Sequence, residues 1–313
     1  MYSEISFPAF GITLNPSRGL DLGPLSIRWY GVIIACGLLL AVCYATKRCK
    51  QFGLKENDLL DGILWVTPFA FVCARIYYCV FSWDTYRDNP ISCLYIWEGG
   101  LAIYGGVIGA VIGAAVLCKI KKIRLPAVLD LCAIGFLLGQ AVGRWGNFFN
   151  REAFGAETDS FLRMGLRSQW TGETIYVHPT FLYESLWNLT GFVLLHFLSK
   201  RRKYDGQTAL QYAAWYGAGR AIIEGLRSDS LYIPHTGIRV SQLLSVVLCA
   251  AALIALLVLS LRKPRQRTLY ALSADIHEAD GGDAAAEPAE EESPAAQEEK
   301  SGLWKRFSNW LHT

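Results

Sequence analysis

The sequence predicts an all-α integral membrane protein with seven transmembrane helices, its N-terminus outside and its C-terminus cytoplasmic. Three observations carry that expectation. Of the 313 residues 52% are apolar and only 18% charged, where a soluble domain carries roughly 25% charged residues. The apolar residues gather into long runs, and a bilayer core of about 30 Å takes roughly 20 helical residues to cross. Four strongly basic stretches, Lys47–Lys55, Lys119–Arg124, Lys200–Lys203 and Arg262–Arg267, alternate with loops that carry few positive charges. That alternation is what cytoplasmic loops rich in Lys and Arg produce.

The first run, Ile27–Thr46, is followed rather than preceded by dense positive charge at Lys47, Arg48 and Lys50. A cleavable signal peptide has the opposite order, so this span is expected to stay as an anchor. The second, Leu60–Phe81, contains Arg75, and the third, Leu101–Cys118, carries Gly105, Gly106, Gly109 and Gly113. Small residues at spacings of three and four let helices approach closely; a glycine-lined groove for a lipid chain is the alternative. The fourth, Ala127–Trp145, holds Asp130 and Arg144, and the fifth, His178–Leu198, holds Glu184. The sixth, Thr208–Leu226, places Arg220 and Glu224 four residues apart on one helix face. The seventh is Val240–Leu261. Polar residues interrupt the fourth and sixth runs, yet only a count of seven puts all four basic stretches on one side. Helix is the state expected throughout, because open strand edges cannot be satisfied in lipid.

The expected division is a membrane domain over residues 1–267, a disordered acidic linker over 268–300 and an amphipathic terminal helix over 301–313. The linker is rich in Ala, Glu, Asp and Pro and cannot bury enough apolar area to fold. In the last segment Leu303, Trp304, Phe307, Trp310 and Leu311 recur on one helical face, which suits a membrane surface or a partner protein.

The net charge is +3, and the basic residues flank apolar spans, which argues against a nucleic-acid partner. The nine cysteines show no zinc or redox spacing. No glycine-rich nucleotide loop follows a strand and no serine elbow appears. The expected site therefore uses neither metal nor cofactor.

What remains is charge inside apolar spans. An Arg or Asp at a span centre costs about 2.5–3.5 kcal/mol on insertion scales and usually faces a cavity or a partner. For any one residue an ion pair suffices; for Arg75, Asp130, Arg144, Glu184, Arg220 and Glu224 together a site is the better reading. The expected topology puts the end of the fourth span, the start of the fifth, the end of the sixth and the starts of the first and third (near Tyr30 and Tyr104) on the outer side. Arginine presents a planar fork of donors that matches phosphate. Two arginines there could hold an anionic lipid head group and stabilise charge on a departing phosphate. Asn147 and Asn150 add neutral partners, and Glu152 and Glu224 could orient arginines or take a proton.

The segment Gly143-Arg144-Trp145-Gly146-Asn147-Phe148-Phe149-Asn150-Arg151-Glu152-Ala153-Phe154-Gly155 closely resembles the signature of the prolipoprotein diacylglyceryl transferase family. Further matches follow in the family's order: Arg28-Trp29-Tyr30-Gly31, Trp97-Glu98-Gly99-Gly100-Leu101, His178-Pro179-Thr180-Phe181-Leu182-Tyr183-Glu184, Tyr216 to Asp229, and Ser241-Gln242-Leu243-Leu244-Ser245. The resemblance covers about residues 5 to 262. It implies a multi-pass enzyme of the bacterial cytoplasmic (inner) membrane. Such an enzyme moves the diacylglyceryl group of phosphatidylglycerol onto the lipobox cysteine of a prolipoprotein signal peptide. A thioether forms and glycerol phosphate is released, so the nucleophile belongs to the substrate. By resemblance Arg144 and Arg220 match the family's essential arginines, which the reading of the charges assigns to the head-group phosphate, and Asn147, Glu152, Gly155, Tyr30, Tyr216 and Glu224 match positions tied to activity. One position departs. Where members often carry a histidine viewed as the base, this chain has Tyr104, whose free phenol titrates near 10 against about 6.5 for histidine. Tyr104 is then expected to act as a hydrogen-bonding group. His178, before Pro179 at a span start, reads as a helix-start residue. A transporter or lipid flippase is the competing reading, and it calls for an internal repeat of spans that the sequence does not show. A structural or receptor protein would leave Arg144 and Arg220 without a task.

Overall fold

A computed structural model of the chain describes residues 2–22, 25–96, 99–228, 232, 236–261 and 269–271. The chain divides into a unit Met1–Ser273 and a second, Ala274–Thr313. The terminal helix expected over 301–313, and all of the linker expected over 268–300 except 269–271, lie outside the described residues, as do Trp97, Glu98 and Asp229.

Seven helices of 18 residues or more form among the described residues: α1 (Trp29–Arg48), α2 (Glu56–Phe81), α3 (Ile103–Ile120), α4 (Leu125–Asn150), α5 (Thr180–Leu198), α6 (Gln207–Glu224) and α7 (Val240–Leu261). Each falls on one of the expected runs. Five of them, α1 to α4 and α7, are long and apolar enough to cross a membrane. The other two carry more polar residues, Glu184, Asn188 and His196 in α5 and Gln211, Arg220 and Glu224 in α6. Outward-facing side chains such as Leu39, Leu64, Trp65, Ile76 and Ile254 are more than half exposed, as expected of helices whose solvent is lipid.

Local chemistry sets the helix ends. Pro126 opens α4, where its missing N–H costs nothing. The same helix closes on Arg151, which takes a left-handed conformation with φ 55°. The N-terminus of α6 is capped from another helix: Asp130 of α4 accepts hydrogen bonds from the backbone N–H groups of Gly206 (2.9 Å) and Ala209 (2.8 Å). A fully buried carboxylate thus satisfies amides that a helix start leaves free. Asp130 is a fold anchor.

Helix α4 packs against α1, α5 and α6, while α2 pairs with α3 and α6 with α7. Glycines permit the closest approaches. A methyl group on Gly109 would lie 2.5 Å from the Cys73 Cβ, so the small-residue stripe of α3 is filled by α2 and leaves no groove there.

The all-α expectation is corrected outside the helices. Strands β1 (Tyr2–Phe7), β2 (Ile12–Leu14), β5 (Met164–Ser168) and β6 (Thr174–Val177) form an antiparallel sheet in the order β2-β1-β5-β6. Strands β3 (Gly19–Leu22) and β4 (Leu25–Arg28) form a hairpin that runs into α1. These strands have three to six residues, too few to show a clear period of two. Ile5, Met164, Leu166 and Val177 of the sheet pack on Phe148 of α4 and Phe181 of α5. The sheet therefore sits over the helix ends that carry the site.

At the opposite ends of these helices, Cys49, Phe52, Leu131, Ile134 and Leu195 form a second core, and Tyr270 packs against it. The Tyr270 backbone N–H donates to Asp205 Oδ2 (3.0 Å) and its ring lies 5.8 Å from the Arg124 guanidinium. A methyl on Gly53 would come within 2.8 Å of the Ala271 Cα.

Candidate active site

Glu184 is the only acidic residue of α5 and lies in its second turn. Helices α4 and α6 end where α5 begins, so the last turns of two helices meet the first turns of a third. The Glu184 carboxylate, with a side chain only 6% exposed, contacts three guanidinium groups. Arg144 Nη2 touches Oε2, while Arg220 Nη1 and Arg227 Nη1 lie 3.3 Å and 3.5 Å from Oε1. Arg220 also places Nη2 2.7 Å from Glu224 Oε2, the contact that its position four residues away allows. Glu224 is buried, and Arg239 donates to its backbone carbonyl.

The signature segment builds the rim. After α4 the chain turns back through Arg151 and Ala153, both at positive φ, and crosses the backbone that follows α6. Gly155 N–H donates to the His178 carbonyl (2.9 Å) and Ala156 N–H to the Leu226 carbonyl (2.7 Å). A methyl on Gly155 would lie 2.6 Å from the His178 Cβ and 2.8 Å from the Leu226 oxygen, so this crossing admits only glycine. It fixes Arg227, whose backbone bridges to Gly155. The Arg151 guanidinium holds Ser3 O (2.9 Å), Asn15 Oδ1 (3.2 Å) and Pro16 O (2.7 Å). Burial, and then the charge of Arg18, push its pKa below the usual arginine value. It pins the N-terminal strands rather than joining the charge cluster.

The other expected residues divide. Asn147 and Asn150 both donate to Glu152 Oε1, at 3.1 Å and 3.2 Å, in a separate and exposed group at the end of α4. The Tyr30 ring packs on Gly146, where a methyl would come within 2.7 Å of it. Tyr216 stacks on Tyr212 with centroids 5.7 Å apart and lines a small cavity with Glu184 and Arg220. Tyr104 is 41% exposed on α3, and among the described residues no contact joins it to the arginines. Arg75 has another task. Its guanidinium donates to the carbonyls of Cys93 (2.8 Å), Ser92 (2.9 Å), Tyr95 (3.2 Å), Gly99 and Gly100 (2.9 Å). All five of its N–H donors are engaged in holding the loop before α3.

Three helices therefore supply the ion-paired cluster, fewer than the five the topology suggested. Among the described residues three guanidinium groups, those of Arg144, Arg220 and Arg227, converge on Glu184, and Arg220 also meets Glu224. A profile of the prolipoprotein diacylglyceryl transferase family matches residues 19–258, a range that includes every residue of this cluster. The chain belongs to that family. Similar proteins include the phosphatidylglycerol–prolipoprotein diacylglyceryl transferase of Lactiplantibacillus plantarum, 45% identical over 243 residues that cover 75% of this chain and 86% of the relative. The protein of that name from Limosilactobacillus reuteri is 44% identical over 256 residues, covering 78% and 91%. The one from Streptococcus suis is 46% identical over 248 residues, covering 78% and 92%. As a prolipoprotein diacylglyceryl transferase family member the chain is a transferase of lipoprotein biosynthesis, and its apolar helices make it a multi-pass membrane protein.

Within this transferase family site, sequence reasoning undervalued Glu184 and missed Arg227. Glu184 stood among the intramembrane charges read together as a site but was given no role of its own. Its signal was its isolation as the one carboxylate in a 19-residue helix, since an unpaired charge there demands partners. Arg227 lies just beyond α6, where sequence gives no sign of which way it turns.

Proposed function

We propose that this chain transfers the diacylglyceryl group of phosphatidylglycerol to the lipobox cysteine thiol of prolipoproteins, the first step of bacterial lipoprotein maturation. The observation that carries the reading is the convergence of the Arg144, Arg220 and Arg227 guanidinium groups on Glu184. Arg144 and Arg220 bind the phosphodiester. Their side chains remain 23% and 17% exposed, so a ligand can reach donors that Glu184 does not occupy. Glu184 and Glu224 orient them.

In the transfer step the substrate cysteine, as thiolate, attacks the glycerol carbon that carries the phosphate ester. A C–S bond forms as the C–O bond breaks, and the bonding pair leaves on glycerol phosphate. The new charge falls on the phosphate, where fixed guanidinium groups in a water-poor site stabilise it. The thiol proton passes to water. Tyr104 contributes a hydrogen bond rather than a base, and Glu224, already neutralised by Arg220 at 2.7 Å, serves to aim that arginine. Tyr30, Tyr216, Asn147, Asn150 and Glu152 line the approach of the lipid head group.

All seven long helices span the bacterial inner membrane in this reading, with the N-terminus outside and the four basic stretches in the cytoplasm. Residues 1–267 are the catalytic domain, 268–300 a linker and 301–313 a surface helix. Support for seven spans comes from α5 and α6, which lie beside α4 and turn Glu184, Ser185 and Arg220 toward it or each other, while His196 faces Tyr44 of α1. The test is direct. Purified protein with phosphatidylglycerol and a lipobox peptide yields a thioether-linked diacylglyceryl peptide and glycerol phosphate. A folded, lipid-binding protein that forms no such product would overturn the reading.

A further inference from the structure

Helices α5 and α6 carry the same short pattern, a tryptophan followed one turn later by a glycine: Trp187 to Gly191 and Trp215 to Gly219. In an α-helix the carbonyl of residue i lies beside residue i+4. A glycine at i+4 therefore uncovers that carbonyl for a donor from a neighbouring helix. Both halves of this arrangement are used. The Trp187 indole N–H donates to the Trp215 carbonyl at 3.1 Å, and the Trp215 indole N–H donates to the Trp187 carbonyl at 3.1 Å. The two indoles stack with centroids 4.5 Å apart and planes 21° from parallel. The glycines are obligatory. A methyl on Gly191 would lie 2.5 Å from Trp215 Cδ1, and one on Gly219 would lie 2.6 Å from Trp187 Cε2 and closer still to its nitrogen.

Such a clasp is reciprocal, so it fixes the sliding register of two antiparallel helices in both directions. The register matters because of what stands next to it. Glu184 lies three residues before Trp187, and Arg220 directly follows Gly219. Glu184, Trp187, Tyr216 and Arg220 line one cavity of about 10 Å³, room for one water at most. The carboxylate–guanidinium contact at 3.3 Å is thus built on the same two helix faces as the indole pair, about one turn away.

We propose that Trp187 and Trp215 are positioning residues for the transfer: their clasp sets the register of α5 against α6 and so holds the Arg220 guanidinium where the phosphate is met. The inference rests on Arg220 being the phosphate ligand. A misplacement of about 1 Å in such a group costs up to about a hundredfold in rate. A partial loosening, with an aromatic ring retained, is expected to cost about tenfold.

The experiment compares Trp187→Phe, Trp215→Phe and the double variant with the unaltered protein in the phosphatidylglycerol and lipobox-peptide assay, with rates normalised to folded protein. Benzothienylalanine at position 187, which replaces the indole N–H by sulfur at nearly the same shape, covers the case in which a phenylalanine variant does not fold. Near-ultraviolet circular dichroism reports the stacked indoles directly, as a paired band that each substitution at these positions with phenylalanine removes. Each single variant is expected to lower kcat about tenfold with KM for phosphatidylglycerol within twofold, and the double variant to be no worse than either. In an Arg220→Lys background, which keeps charge but loses the planar fork, Trp187→Phe is expected to have less than a twofold effect, because the clasp acts through the arginine. Wild-type kcat in both single variants with the paired band lost, or an equal tenfold loss in both backgrounds, would overturn the proposal. Arg220→Ala separates the two readings. If it retains full transfer, the phosphate reading falls and takes the clasp with it. If it is inactive while the tryptophan variants turn over normally, the clasp alone falls.

Discussion

Glu184→Gln removes one charge from the centre of the cluster while keeping the side chain's shape. At separations of 3.3 Å and 3.5 Å each of the pairs with Arg220 and Arg227 has an attraction of about 5 kcal/mol at an effective dielectric of about 20. Desolvation of buried charges offsets most of that. The net loss on breaking a buried pair is about 3–5 kcal/mol when a partner is left uncompensated. The amide retains one acceptor oxygen, so one guanidinium can stay bound while the others reorient. The expected result is a fall in kcat of roughly a hundredfold, the cost of a catalytic group displaced by about an ångström. KM for phosphatidylglycerol should hold or fall, because removing a negative charge makes the cluster more attractive to phosphate. The assay is steady-state formation of the thioether peptide, with folding checked by thermal denaturation in detergent. A kcat within twofold of wild type would show that the arginines are aimed by something other than Glu184 and would refute its role as the hub of the cluster.

Arg144→Ala and Arg220→Ala should each abolish transfer while the protein still inserts in the membrane; full turnover in either would remove that residue from the phosphate clamp. Asp130→Ala should leave the site's chemistry intact but cost about 1–2 kcal/mol through loss of the α6 cap, read as a lower Tm with near-normal kcat per folded molecule. Gly155→Ala should inactivate the enzyme, since its methyl would meet the His178 Cβ at 2.6 Å and force apart the backbone that carries Arg227; normal activity would show that the crossing is soft. Truncation after Arg267 should spare transfer but lower Tm by removing Tyr270, whereas truncation after Ala271 should spare both. A loss of activity specific to the shorter protein would give the Tyr270 contact a role in catalysis.

Much of the fold was legible because lipid simplifies the problem. A helix that must cross about 30 Å of hydrocarbon announces itself by its length, and all seven long helices formed on the runs that the sequence marked. The extramembrane sheet was not legible. Its strands are short, and β1 and β5 pair with each other across more than 150 residues of sequence. The charged residues were visible one by one, but their tasks were not. Arg75 and Asp130 looked as functional as Arg144 and Glu184, since each is an ionisable group in an apolar run. Packing separated them: Arg75 spends every donor on loop carbonyls, and Asp130 spends both oxygens on the first amides of α6.

The sequence by itself determined the membrane class, the positions of the helices, the residues of the signature and, through that signature, the family. Those properties follow from local composition and from residue order along the chain. Only the tertiary structure decided that Glu184 is the hub, that Arg227 turns inward to reach it, and that Tyr104 stands apart from the arginines among the described residues. It also showed that the two Trp-to-Gly patterns are halves of one clasp. Each of those depends on which helix faces meet and in what register, and a register is a relation between two segments that neither segment contains alone.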